Sequence, residues 1–154
     1  MILFRFCYRL FVPIFFASLL SFSCDRRIHE QLDSVEESLS TNPSAAYESI
    51  SSISPHEIRT KASRARYALL MSLAMDKNYI DTDNDSLIRV AVQYYEKHGG
   101  LKEKMLSMYM LGKVQRNAGN NVGAIVSLLK AKEQAEELED LHYIGLSAQN
   151  IAEM

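Results

Sequence analysis

The side chains that could act on a metal or a substrate are few and widely spaced in this chain of 154 residues. Its two cysteines, Cys7 and Cys24, supply neither a disulfide framework nor a four-ligand zinc site, and its four histidines have no metal-ligand spacing. The sequence contains no glycine-rich phosphate loop, no nucleophile elbow and no H-E-x-x-H segment. We therefore expect a protein that is not an enzyme and that uses no metal and no cofactor.

Three aspartates alternate in the polar segment 77–85, as they do at the start of a calcium loop: Asp81, Asp83 and Asp85. That loop requires glycine where this chain has Ser86 and a bidentate glutamate where it has Val92. We favour the alternative that the Asp85 side chain caps the next helix by accepting from its first free amides.

A cationic group lies on one side of a helix predicted over residues 56–76: Arg59, Lys61, Arg64 and Arg66. The apolar side of the same helix carries Ala62, Ala65, Leu69, Leu70, Leu73 and Ala74. The cations could bind phosphates or carboxylates, but no aromatic residue partners them, which favours a solvated helix face. The formal net charge of −2 also gives no reason to expect a nucleic-acid partner.

Cys24 stands in a sequence context that predicts a modification. Arg5 and Arg9 precede a short apolar run, and small residues follow it, which is the pattern of a secretory signal peptide over residues 1–23. The segment Leu20-Ser21-Phe22-Ser23-Cys24 resembles the lipobox of bacterial lipoproteins in its looser Bacteroidetes form. The resemblance implies cleavage before Cys24 and attachment of acyl chains such as palmitate, which hold a protein on a membrane.

Three other interpretations of this segment remain open. Ser21-x-Ser23 also fits ordinary cleavage that would leave Cys24 a plain thiol, the segment could persist as an uncleaved anchor, or Cys24 could be incidental. We favour lipid anchoring in the cell envelope, at the outer membrane on its periplasmic or surface face. Loss of residues 1–23 removes Arg5 and Arg9 and leaves a net charge of −4, so an anionic lipid surface is not expected to hold the body.

Residues 24–100 are predicted to form degenerate helical hairpins. An apolar stripe at spacings of four, three and four predicts a helix over residues 28–39: Ile28, Leu32, Val35 and Leu39. Asn42 before Pro43 is a good start for a second helix. A helix over 86–98, ended by Gly99 and Gly100, is expected to bury Leu87, Val90, Ala91, Tyr94 and Tyr95.

Residues 105–138 resemble a tetratricopeptide repeat, a 34-residue helix-turn-helix with W-x₂-L-G-x₂-Y, then A-x₃-F, then A. At the same spacings this chain has Leu111, Gly112, Ala124, Leu128 and Ala131, and Gly119 supplies the turn between the helices. Small residues at the helix crossing allow close approach. The family has Trp, Tyr and Pro where this chain has Met108, Gln115 and Glu136.

The resemblance implies an all-α fold of stacked antiparallel helical hairpins, an α-solenoid, with residues 101–154 forming one repeat and the first helix of another. Ile151-Ala152 repeats Leu111-Gly112 after 40 residues, which predicts a lengthened linker around 138–141. The chain stops inside that helix, so we expect Leu146, Ile151 and Met154 to be exposed, and we favour truncation of a longer protein over a covering partner.

Grooves of such arrays bind peptides, and four side chains are candidates to line this one: Tyr109, Lys113, Arg116 and Gln149. The alternative is that they are simply exposed helix residues. The leading hypothesis is a non-catalytic, lipid-anchored scaffold that binds a protein or peptide partner through this groove. The alternative is the extracytoplasmic sensor portion of a longer signalling or transcription-regulatory protein.

Overall fold

The computed structural model describes residues 26–154. The signal peptide predicted for residues 1–23 and the lipid attachment predicted at Cys24 lie outside this range. Over the described residues the chain is all-α, with no strand and with a single 3-10 turn, Pro55–Glu57. The helices are α1 (26–38), α2 (Pro43–Ser51), α3 (Lys61–Lys77), α4 (Ser86–His98), α5 (Leu101–Asn117), α6 (Asn121–Glu137) and α7 (Leu141–Ala152). No helix between residues 26 and 154 combines the length and the apolar character that crossing a membrane requires.

Polar side chains fix where four of these helices begin. Each accepts a hydrogen bond from the backbone N–H three residues further along, which satisfies one of the amides left free at a helix start. The residues are Asn42, Thr60, Asn120 and Asp140. The predicted helix start at Asn42 and Pro43 is thereby confirmed, as is the buried stripe of Ile28, Leu32, Val35 and Leu39.

Helices α3, α5 and α7 begin 40 residues apart, at 61, 101 and 141. Helices α5 and α6 each have 17 residues, and connections of three residues, 118–120 and 138–140, complete the interval. The expectation of a lengthened linker around 138–141 is therefore wrong, because long helices and not a long connection set the spacing. Two of the connecting residues, Gly119 at φ 73° and Glu139 at φ 56°, adopt the left-handed conformation that ends a helix sharply.

Packing follows the order of the chain, since α3 packs against α4, α4 against α5, α5 against α6 and α6 against α7. The α5–α6 contact is the most extensive, and Gly112 lies at its centre. Helices α3 and α5 also touch directly, so alternate helices share one side of the molecule.

Two expectations about α3 and α4 need correction. Helix α3 begins at Lys61 and not near residue 56, and Ala62 is exposed although it was expected to be buried. In α4 the buried residues are Ile88, Ala91 and Tyr95, whereas Val90 is 41% exposed. The predicted burial of Ala91 and Tyr95 is confirmed, and Leu87 and Tyr94 are half-buried. The sequence from 87 to 95 is apolar on more than one side, so periodicity alone chose Val90 in place of Ile88.

The expected capping role of Asp85 is also wrong. Asp85 precedes α4, but its side chain makes no capping hydrogen bond and instead pairs with Arg89 at 2.7 Å. The side chain of Asn84 accepts from the N–H of Ser86 at 2.9 Å. Arg89, one turn into the helix, competes with the free backbone amides for the Asp85 carboxylate. The capping position of Asp85 in the sequence does not show which of the two it will bind.

Candidate functional site

The side of the molecule shared by α3, α5 and α7, which we call the groove face, holds a row of polar contacts between successive helices. Lys113 of α5 donates to Asp76 of α3, and Arg116 of α5 donates to Glu153 beyond α7 at 3.0 Å. Asp76 and Arg116 are 40 residues apart, as are Lys113 and Glu153, so the two ion pairs occupy equivalent positions. Their polarity is reversed, and both cations come from α5.

Tyr109 and Tyr143 lie beside this row and pack edge to face, with ring centroids 5.2 Å apart and planes at 80°. Burial raises the pKa of each hydroxyl to about 12, and the charge of Asp76 contributes to both shifts. Both phenols are therefore neutral near neutral pH. The pair ties α5 to α7 by packing, and neither hydroxyl is poised to exchange a proton.

The structure brings all four predicted groove residues to this side. Tyr109 is only 3% exposed, so its ring contacts α7 and not solvent. The side chains of Lys113 and Arg116 are 22% and 27% exposed, and each is held in an ion pair. Gln149 is exposed and donates to Glu153 at 2.8 Å. A role for these residues in binding a partner stays a prediction.

The structure also shows where the predicted packing residues lie. Leu111, Ala124, Leu128 and Ala131 are buried between neighbouring helices, and Gly119 forms the exposed turn. A Cβ at Gly112 would lie 2.6 Å from Cγ of Leu128, closer than two carbons can approach.

Two features were not predicted from the sequence: a buried hydrogen bond between α5 and α6, and the packing of the last residues of the chain against the core. Ser127 Oγ donates to Gln115 at 2.8 Å, which accounts for a polar side chain where the repeat family has tyrosine. Leu146, Ile151 and Met154 are half-buried against the core, so the expectation that they are exposed is wrong.

A cavity of about 280 Å³ opens on the groove face between α1, α3, α5 and the start of α7. Its floor consists of leucines: Leu39, Leu69, Leu70, Leu73 and Leu106. The α3 leucines were predicted to be core residues, and the cavity was not predicted, because its lining comes from segments distant in the sequence. The one available signal is the position of Leu106 one turn before Tyr109, on the face predicted for the groove.

Charged side chains of both signs surround the cavity, so they do not favour a strongly charged ligand. Arg66 is held by Asp33 at 2.6 Å and by Glu36 at 2.5 Å, which closes one side with neutralised charges. Lys77 and Lys102 also line the cavity, and within residues 26–154 neither has a carboxylate partner. An apolar ligand with a polar end would satisfy both the floor and these lysines.

The alternating aspartates do not assemble a metal site. Asn117 donates to Asp81 at 3.4 Å and to the carbonyl of Thr82 at 3.3 Å, which fastens the 78–85 connection to α5. Across the part of the chain that the structure describes, no three carboxylate, histidine or cysteine side chains come together in a way that could hold a metal ion.

Comparison of the chain with protein families, with curated proteins and with solved structures gives no match.

Proposed function

We propose that the protein is a non-catalytic scaffold that binds a protein or peptide partner on its groove face and is lipid-anchored in the bacterial cell envelope through Cys24. The array of helices is tetratricopeptide-like, in which helices α3, α5 and α7 are the first helices of successive repeats. The equal spacing of these three helices and the equivalent positions of the two ion pairs support successive repeats, each six residues longer than the 34 of the family.

The observation that carries the proposal is the leucine-floored cavity beside Tyr143. At about 280 Å³ it has room for one or two apolar side chains of a partner. Burial of such an anchor in a pocket is how a peptide obtains most of its affinity from few residues. The partner is therefore expected to present an apolar side chain to α3 and α5.

Site-specific photo-crosslinking in the native bacterium tests the partner site. A photoreactive amino acid at Lys102, on the edge of the cavity, should give a discrete covalent adduct with one protein. The matched control carries the same group at Lys130, which is exposed on α6 and does not line the cavity. Identical adduct patterns at the two positions would contradict binding on the groove face.

The intact mass of the product extracted from membranes tests the anchor. The lipoprotein proposal expects the mass of residues 24–154 plus a diacylglyceryl group and an acyl chain. An unmodified chain beginning at Met1 would refute lipid anchoring while leaving the partner site untouched. A larger polypeptide would favour the sensor alternative, in which these helices are one part of a longer regulatory protein.

A further inference from the structure

A second groove, of about 430 Å³, lies between the first half of α3 and the last half of α4, and all the charged side chains that line it are basic. We call it the basic groove and define it by Lys61, Arg64, Tyr94, Lys97 and His98. The four basic side chains are exposed, and no aspartate or glutamate lines the groove. The basic groove is therefore a local positive region on a body with a net negative charge.

Two cations of α3, Lys61 and Arg64, lie beside aromatic rings of α4 in this groove. The sequence favoured a solvated helix face because no aromatic residue partnered them, but α4 supplies Tyr94, whose ring lies 5.0 Å from that of His98. Arg64 is positioned by a hydrogen bond from its Nε to the carbonyl of Ile58 at 2.8 Å. Arg66 is not part of the groove, because Asp33 and Glu36 hold it elsewhere.

Lysine, arginine and histidine donors around an open groove suit the phosphate groups of a ligand, and neighbouring rings add an apolar surface beside them. Within residues 26–154, Lys61 and Lys97 have no carboxylate partner, so their ammonium groups are free to contact an anion. Such a contact would displace no interaction of the folded chain.

The position of the groove indicates which phosphates it would meet. Arg27, at the start of α1, contacts Glu57 at 2.5 Å, and Glu57 precedes Lys61 by only four residues. Cys24 is three residues before Arg27, a separation that an extended chain spans in at most about 11 Å. A lipid on Cys24 would therefore hold the membrane close to the end of the molecule that carries the basic groove.

We infer that the basic groove docks onto the phosphate groups of anionic phospholipids in the membrane that carries the protein. Docking orients the helical array on the membrane surface. The lipid on Cys24 has the separate role of keeping the protein bound to the membrane. The inference rests on the lipid anchoring proposed above. The expectation that an anionic surface does not hold the acidic body is unchanged, because the anchor holds it. The basic groove responds to the surface through its own charges, since charges interact mainly within a Debye length, about 8–10 Å, whatever the net charge of the body.

Lysine labelling of the native lipidated protein in vesicles tests this inference. The protein is reconstituted in phosphatidylcholine vesicles with or without about 30 mol% phosphatidylglycerol, which supplies the anionic surface. A water-soluble amine-reactive ester is added, and mass spectrometry gives the labelling rate of each lysine. Phosphatidylglycerol should slow labelling of Lys61 and Lys97 several-fold, leave Lys130 unchanged, and lose its effect in about 1 M salt.

A matched pair of variants shows whether the groove itself is responsible. Lys97→Gln should weaken docking about fivefold, the contribution of one cation near an anionic surface, and should therefore remove most of the several-fold slowing at Lys61. Lys130→Gln makes the same change of charge on α6 and should weaken docking by less than a factor of two, on the same scale. Both lysines are exposed, so neither substitution disturbs the core.

The outcomes separate this inference from the anchor on which it rests. Equal labelling of Lys61 in both kinds of vesicle, or equal effects of the two variants, would overturn docking while the protein still sediments with the vesicles. Slowing by inorganic phosphate in phosphatidylcholine vesicles would overturn it in favour of a free-anion site. Failure to sediment with neutral vesicles would instead refute the anchor.

Discussion

Alanine at Gly112 should destabilise the protein by an amount that the α5–α6 crossing sets. The added Cβ would lie 2.6 Å from Cγ of Leu128 and 3.3 Å from the carbonyl oxygen of Ala124. Carbon atoms attract best at about 3.5–4.0 Å, so the helices must separate by roughly 1 Å. Overpacking of this kind costs about 1–3 kcal/mol, whereas alanine gains about 0.8–1.0 kcal/mol over glycine in a helix interior. The net loss in the free energy of unfolding is about 1 kcal/mol.

Gly145, inside α7, offers the matched control because a Cβ there meets nothing within 4 Å. Gly145→Ala changes helix propensity alone and should raise the free energy of unfolding by about 0.8–1.0 kcal/mol. The same chemical change has a similar effect on the unfolded chain at both positions. The two variants should therefore differ by about 2 kcal/mol, with opposite signs.

Urea denaturation followed by far-UV circular dichroism measures both changes. A Gly112→Ala protein as stable as Gly145→Ala would refute the close crossing of α5 and α6. The double variant Gly112→Ala/Leu128→Ala sharpens the test. Leu128→Ala alone should cost about 2–5 kcal/mol, but it removes the clashing side chain, so adding Gly112→Ala should then be neutral or stabilising.

Three further predictions concern charge, backbone conformation and pH. Lys113→Glu places a like charge opposite Asp76 and should lower the free energy of unfolding by about 1–2 kcal/mol. Adding Asp76→Lys should largely restore it. Equal urea midpoints for the single variant and the double variant would contradict the ion pair. Glu139→Gly relieves a residue at φ 56° and should raise the melting temperature by a few degrees, and a lower value would argue against the left-handed turn. Folding raises the pKa of Tyr109 and Tyr143 to about 12, so their contribution to stability is complete below about pH 10 and is lost as the pH rises toward 12. Urea midpoints across this range should fall less steeply for Tyr109→Phe, and an unchanged slope would refute the shift.

Local signals in the sequence predict the α5–α6 hairpin well because its determinants lie within 34 residues. Gly119 marks the turn, and the small residues Gly112 and Ala124 mark the crossing. In α4 one residue of the predicted buried set, Val90, was wrong for a different reason. Val90 and Ile88 are both apolar and β-branched, and only contact with α3 and α5 decides that Ile88 is buried.

The basic groove and the leucine-floored cavity could not be predicted, because each forms between segments distant in the sequence. Lys61 and Lys97 are 36 residues apart, and no local periodicity relates them. Leu39 follows α1, whereas Leu73 lies in α3 and Leu106 in α5, and each is an ordinary core residue in its own segment. Sequence patterns report which side of a helix is apolar but not where neighbouring helices leave space between them.

The two cations of α5 on the groove face are both held in internal ion pairs. Lys113 and Arg116 were predicted to line a groove for a partner, and in the structure they bind the carboxylates of Asp76 and Glu153. An acidic peptide would have to displace one of these internal carboxylates, and the displaced group would lose its own partner. The leucine-floored cavity imposes no such exchange. A partner of the groove face should therefore obtain its affinity from an apolar side chain, and its charged residues should serve chiefly to set its direction along the helices.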